Sequence, residues 1–325
     1  MCVFCNQRSI SGKTAFDRAS VKGEIERALG TIDKQAEVEI AYFGGSFTGI
    51  DRELMIYLLD LAASYVDDVR EDRAKIVGIR LSTRPDYIND EIMGILARYP
   101  VKTVELGLQS MCDDVLKRSN RGHTAADAEA ACELIKLAGY QLIGQMMIGL
   151  PGGNLENELY TAKKICDMGA DGARIYPTVT FFDTELACMA QRGEYEMLSN
   201  EQAILRSKEV YKLFSSRGVE CIRIGLCASD NLGDMTKVMG GANHPALGEL
   251  VLGEAYFDAE CEKIEQMSLD TKGGTATFLV PRGELSRAIG HNGNNRERLC
   301  KKYGLKRVIF KEHEDKILTL TISEH

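Results

Sequence analysis

Nothing in these 325 residues forms an apolar run of the roughly 18 residues needed to cross a bilayer, and residues 1–12 lack the apolar core of a signal peptide. A cytoplasmic protein without a membrane partner is the expectation. No Walker loop, G-x-S-x-G elbow or G-x-G-x-x-G fingerprint occurs, which removes the commonest phosphate-loop, serine-hydrolase and dinucleotide-binding readings. Five scattered histidines contain no H-x-x-x-H pair, so a histidine zinc site is not indicated. Internal repeats and low-complexity tracts are also missing. The 44% hydrophobic content suits a packed globular protein, long enough for one large domain and a small one.

The chain does have ten cysteines, spread widely, as expected of reduced thiols in a long intracellular chain. Cys112, Cys132, Cys166, Cys188, Cys221, Cys227, Cys261 and Cys300 each stand alone and read as structural fillers. Only Cys2 and Cys5 have ligand spacing. The net charge of −8 argues against wholesale polyanion binding, but charge is uneven. Between Pro281 and Lys311 nine basic residues face two acidic ones.

Short β-rich runs recur at Val38–Phe43, Ile76–Leu81, Thr103–Leu108, Gln141–Ile148, Ala173–Pro177 and Val219–Ile224. Helical periodicity fills the gaps, at Glu53–Val66, Asp90–Arg98, Ala125–Ala138, Leu155–Met168 and Glu201–Arg217. Such alternation predicts a parallel sheet with crossover helices, and six units favour a full or partial (β/α) barrel over a doubly wound sheet. Function then collects after the strand ends, which read G-G-S-F-T-G (44–49), S-T-R-P-D (82–86), G-L-Q-S (107–110), G-L-P-G-G (149–153) and Y-P-T (176–178). Gly44-Gly45 is either a plain turn or a place where backbone meets a polar ligand head. Gln109 directly follows an apolar strand and is expected to face a pocket. His123 reads as a loop histidine, structural or a base, and Glu105, Asp86, Asp113 and Asp114 as caps and solvated charges.

Near Thr275 a second unit begins: strand 275–280, helix 284–289, the turn Gly290-His291-Asn292-Gly293, helix 294–303, then strands 306–311 and 316–322. The expected division is 1–227 barrel, 228–270 helical connector and 271–325 basic α+β domain.

Taken together, C-V-F-C-N-Q-R-S-I-S-G, G-G-S-F-T-G, S-T-R-P-D-Y-I, E-L-G-L-Q-S with the following D-D-V-L-K-R-S-N-R-G-H-T, G-L-P-G and R-I-Y-P-T closely resemble the radical S-adenosylmethionine (SAM) enzymes. Among these the chain is most similar to the branch containing the catalytic subunit of Elongator. The resemblance implies a partial (β/α)6 TIM-like barrel lacking its first strand. It also implies a [4Fe–4S] cluster held by three thiolates, with SAM on the open iron and cleaved to a 5′-deoxyadenosyl radical, and an electron donor such as flavodoxin or ferredoxin. Cys2 and Cys5 match the second and third cysteines of C-x-x-x-C-x-x-C, and Phe4 its aromatic residue. The first cysteine would fall four positions before Cys2, ahead of Met1; a truncated chain is the expectation, with a different third ligand as the alternative. Gly44 and Gly45 match the motif that meets the SAM amino group, and Ser82, Gln109, Arg121 and Gln145 match positions contacting SAM. Ser82 and Gln145 stand where relatives carry acidic residues.

Residues 288–299 resemble the I-G-x-x-G-x-N-x-x-x-L core of KH domains, in which G-x-x-G joins two helices and clamps single-stranded RNA. That implies RNA contact by Gly290, His291, Asn292 and Gly293, with Arg287 and Arg296 alongside. The leading expectation is a radical SAM enzyme acting on RNA such as tRNA. A small-molecule oxidoreductase like the coproporphyrinogen-oxidase branch and a catalytically inactive RNA-binding module are the alternatives.

Overall fold

The structure is a computed structural model that describes residues 2–5, 16–68, 70–226, 236–267 and 271–323. Cys227, residues 6–12 of the opening motif and residues 228–235 of the expected connector lie outside the described residues. The chain forms two compact units, one from residues 1–198 and 213–243, the other from 199–212 and 244–325.

In the first unit, β1 (Glu37–Tyr42), β2 (Lys75–Thr83), β3 (Val101–Gln109), β4 (Gln141–Ile148), β5 (Gly172–Pro177) and β7 (Glu220–Ile224) form a single parallel sheet in sequential order. A doubly wound sheet reverses direction partway along; this one never does, so successive crossovers pack on the same face and the sheet curls into a half-barrel. Observed strand edges fall within two residues of those expected from the apolar runs.

The intervening helices are α1 (Ser20–Leu29), α2 (Arg52–Asp67), α3 (Asp90–Leu96), α4 (Asp113–Arg118), α5 (Ala125–Leu137) and α6 (Leu155–Asp167). Their starts are encoded locally. Asp51, Asn89 and Asn154 each accept a backbone N–H three residues on, and Thr124 with Asp127 closes a capping box. Alternate strand residues Ile79, Leu81, Val104, Leu106, Leu142, Met146, Ala173 and Ile175 are all but fully buried. Each large one contributes about 1.5–3 kcal/mol by leaving water. The other alternate set includes Arg80, Ser82, Glu105, Gln145 and Arg174, and it builds the inner face described below.

One pairing has no counterpart in the sequence periodicity. Strands β6 (Val179–Phe181) and β8 (Val238–Gly241) form an antiparallel pair, with α7 (Glu185–Gln191) and α8 (Asn200–Ser216) between them in the chain. Strands this short carry no readable alternation, and their partners lie more than fifty residues apart.

In the second unit, β9 (Thr275–Pro281) is the centre of a three-stranded sheet, parallel to β10 (Arg307–His313) and antiparallel to β11 (Thr319–Ser323). Helices α10 (Leu285–Ile289) and α11 (Asn294–Tyr303) connect β9 to β10 through the glycine turn. The helix expected within a connector, α9 (Leu247–Gln266), packs here, with Cys261 and Ile264 in the core around Phe278, Leu299 and Val308.

One group in α9 is out of balance with its surroundings. Glu260 has no solvent exposure, and neither carboxylate oxygen has a partner among the described residues. Burial pushes its pKa from 4.5 up to about 9, opposed only by the Arg298 charge. The native state therefore holds a proton that the unfolded chain releases above pH 4.5, so stability falls as pH rises toward 9, by about 1.4 kcal/mol per unit. Glu260→Gln should flatten that slope and leave the variant more stable than wild type at pH 8, as read by urea unfolding at pH 6 and pH 8.

Candidate functional site

The C-x-x-C segment is a closed turn. Cys5 N–H donates to the Cys2 carbonyl at 3.2 Å; Val3 N–H donates to Ser119 O at 3.1 Å, and Val3 O accepts from Leu186 N–H at 2.9 Å. These bonds stitch the turn between the end of α4 and the start of α7, and Cys2 is buried. Burial and the neighbouring Cys2 raise the Cys5 pKa, while Arg121 pulls it down.

Arg121 joins this turn to the sheet. Its Nη1 donates to Cys2 Sγ at 3.5 Å and its Nη2 to the carbonyl of Gly107, near the end of β3. A bulge follows in β3, and Gln109 takes φ of 67°, an uncommon left-handed value that turns its side chain back over the strand. Both side chains converge on Gly107: a Cβ there would sit 2.6 Å from Arg121 Nη2 and 2.8 Å from Gln109 Nε2. Glycine is required for that approach. Arg121 Nε and Gln109 Oε1 are buried without a partner among the described residues, two directed polar atoms left for a ligand.

The surrounding loops are braced. Arg84 holds Asp86 through two bonds of 2.9 and 2.7 Å and donates to Arg121 O at 2.7 Å. His123 is buried 3.9 Å from Asp86; burial, then the Arg121 charge, drops its pKa to about 4, so it is neutral near pH 7. Gly44 and Gly45 follow β1 in a loop clamped by Thr48, whose hydroxyl lies 2.6 Å from that of Thr83 and donates to Tyr87 O at 2.8 Å. A Cβ on Gly45 would meet nothing within 4 Å, so the loop borders open space.

Ser82 and Gln145 lie on the inner face of the sheet. Ser82 is in register with Glu105, and Gln145 Nε2 donates to Glu105 Oε2 at 3.0 Å. Glu105 was expected to be solvated; instead it is fully buried and is the hub of the inner face. Arg174 grips both its oxygens at 2.7 and 2.9 Å, and Arg80 bonds Oε1 at 2.9 Å while its Nε reaches Glu39 at 2.8 Å. The signal was a lone carboxylate amid the apolar run T-V-E-L-G-L, but its cations come from β2 and β5, 25 and 69 residues away. Asp113, by contrast, does cap, accepting the Ala125 N–H at 2.7 Å.

In the second unit the glycine turn is rigidly set. Gly290 is packed so closely that a Cβ would lie 2.7 Å from the Asn295 side chain, whose Nδ2 donates to Gly253 O at 2.8 Å and Ala288 O at 3.1 Å. His291, Asn292 and Arg296 are exposed around the turn. The basic excess counted along the sequence is reduced by folding. Arg287 pairs with Glu284 at 2.7 Å, Arg298 with Glu254 at 2.5 Å and Lys302 with Glu265 at 3.2 Å, the last two glutamates coming from α9. Arg296, Lys301, Lys306, Arg307 and Lys311 keep no carboxylate partner among the described residues.

The family model described as Radical SAM superfamily matches residues 1–165, half of the chain. The chain belongs to the radical SAM superfamily. A second model, the Radical_SAM C-terminal domain, matches residues 170–256. Relatives of this radical SAM chain include Elongator complex protein 3 of Schizosaccharomyces pombe, 32% identical over 56% of this chain and 36% of that one. A tRNA uridine(34) acetyltransferase of Methanocaldococcus infernus is 26% identical over 75% of this chain and 52% of the relative. An uncharacterized protein of Methanocaldococcus jannaschii is 29% identical over 62% and 63%. The chain thus spans about a third to two thirds of the length of these relatives. The archaeal Methanocaldococcus infernus Elp3 with an N-terminus deletion superposes with a TM-score of 0.63 at 24% identity, over 74% of this chain and 58% of that one, which confirms the fold.

Radical SAM membership implies a [4Fe–4S] cluster and SAM, and the donor set suits them in part. Two soft thiols on one turn beside a guanidinium fit two of the cluster's three thiolate positions. No group of three candidate ligands gathers among the described residues. The unpartnered Gln109 and Arg121 atoms and the open loop at Gly45 suit a polar, zwitterionic ligand.

The ion-pair hub under this site has a measurable signature. Burial alone would raise the Glu105 pKa, but hydrogen bonds from Arg174, Arg80 and Gln145 lower it below 4.5. Its stabilisation is therefore complete above pH 4.5 and lost as pH falls through the lower folded value. Glu105→Gln should cost about 3–5 kcal/mol at pH 7, because two arginines lose their buried counter-charge, and should weaken the acid sensitivity seen in denaturant titrations.

Proposed function

We propose that this chain is a radical SAM enzyme acting on RNA, with tRNA the favoured substrate. The observation that carries the reading is the convergence of Cys2, Arg121 and Gln109 over Gly107 at the C-terminal end of a sequentially ordered parallel sheet. Cys2 and Cys5 hold the cluster; Gly44, Gly45, Ser82, Gln109 and Arg121 hold SAM, and Gln145 steadies the inner face beneath it. When bound, these groups supply one-electron cleavage of SAM to a radical that removes a hydrogen atom from substrate. Arg121 offers its guanidinium to an anionic ligand group while balancing the thiolate of Cys2. Gln109, locked by its backbone bulge, presents Oε1 as an acceptor at a fixed angle. The braced Arg84–Asp86 pair fixes the Arg121 backbone through its carbonyl.

The RNA part of the proposal draws on the tRNA-modifying relatives and on the second unit. There the turn at Gly290–Gly293, with Arg287 and Arg296 alongside, meets the sugar–phosphate backbone as in KH domains, whose core it resembles. An external one-electron donor such as flavodoxin or ferredoxin completes the proposal.

Anaerobic reconstitution, with iron and sulfide, of a form extended at its N-terminus to carry a cysteine four positions before Cys2 should give about four iron atoms per chain and reductive SAM cleavage, both lost in Cys5→Ala. Failure of the extended protein in both measurements would overturn the enzyme reading. Asn292→Asp places a negative charge at the exposed tip without altering shape, since Asn292 has φ of 54° and aspartate tolerates that region. tRNA retention in gel-shift assays should weaken about 10-fold or more and fall with added salt; unchanged retention would remove the RNA arm. Gly290 is a poor test position, because any side chain there collides with Asn295.

A further inference from the structure

The inner face of the half-barrel carries a charge imbalance beside an exposed aromatic ring. Glu39 and Glu105 neutralise Arg80 and Arg174 through the chain of bonds that crosses β1, β2, β3 and β5. Arg223, on β7, is in register with Arg174, and its charge acts on Tyr176 of the same face. Its guanidinium makes no hydrogen bond or ion pair among the described residues, so the face keeps one uncompensated cation. On the other side of Arg174, its guanidinium lies 5.6 Å from the ring centroid of Phe43, at the end of β1 beside Gly44-Gly45. Phe43 is 51% exposed, unusual for a phenylalanine at a strand end.

An immobilised arginine thus joins an exposed stacking surface to a cation free among the described residues. A planar ring with an anionic group attached matches both ends: the ring stacks on Phe43 and the anion meets Arg223. A metabolite with a carboxylate alone would leave the aromatic surface unused, and a bare base would leave the cation unused.

Building on the reading of this protein as an RNA-acting enzyme, we propose that Phe43 and Arg223, bridged by Arg174, bind a single extruded ribonucleotide, the base on Phe43 and its phosphate at Arg223. They determine which substrate reaches the inner face. Glu105 acts through Arg174 as a positioning residue.

The test is equilibrium binding of uridine 5′-monophosphate and of uridine to the full chain, without cluster or SAM. The unsubstituted protein should prefer the monophosphate by about 10-fold or more. Arg223→Gln should erase that preference, Arg223→Lys should restore most of it, and Phe43→Leu should weaken both ligands together. Equal affinity for the two ligands, no binding of either, or an undiminished preference in Arg223→Gln would each overturn the proposal; the last also exposes binding elsewhere on the chain. These outcomes are independent of iron content, SAM cleavage and tRNA retention, so this assignment and the broader functional reading can fail separately.

Discussion

A carboxylate with no access to water, set in the middle of a parallel sheet, must be met by cations or stay protonated. Glu105 is met by two, Arg174 through a paired contact and Arg80 through a single one, with Gln145 filling a remaining position. Arg80 passes the connection to Glu39. The result is a polar layer tying β1 through β5 together on the face opposite the helices. In a closed barrel, hydrogen bonding around the full circle would fix strand curvature; in a half-barrel, these ion pairs supply part of that constraint. They also decide what the inner face can offer: two arginines are spent on glutamates, and Arg223 is left over among the described residues.

Just beyond that layer, the site depends on a missing side chain. Gly107 lets Arg121 and Gln109 close over the end of β3, and Arg121 in turn reaches the Cys2 turn. Strand, loop and N-terminal turn come from separate stretches of chain, so no one of them contains the site. The unpartnered Nε and Oε1 atoms have a desolvation cost that folding alone does not recover, which is the physical reason to expect a ligand there.

The second unit uses the same device on a smaller scale. Asn295 bonds the carbonyls of Gly253 and Ala288, and Gly290 has no Cβ so that it can do so. The exposed tip at His291 and Asn292 is therefore held by a buried amide rather than by the loop's own residues. Meanwhile α9 contributes Glu254 and Glu265 to the basic helix, redistributing positive charge toward β10 and its flanks.

Much of the fold was legible locally. Alternating strand and helix periods located the six sheet strands within two residues, because the strands bury an apolar face and several helices begin at a side-chain cap such as Asn154 or Thr124. The strand-end motifs likewise marked Gly44, Gly45 and Gln109, since glycines and polar residues at the end of apolar runs are visible in one dimension, whereas Arg121 was singled out by the family resemblance. The roles of Glu105 and Glu260 were not legible: both are glutamates within otherwise ordinary elements, yet one finds two arginines and the other finds none. Sequence by itself determined the elements, their order and the chemical types available at the strand ends, all properties of neighbouring residues. Only the tertiary structure decided, among the described residues, which charges are cancelled, which polar atoms remain unsatisfied and where a cation stands free. Those depend on partners tens of residues away, brought together when the sheet curls.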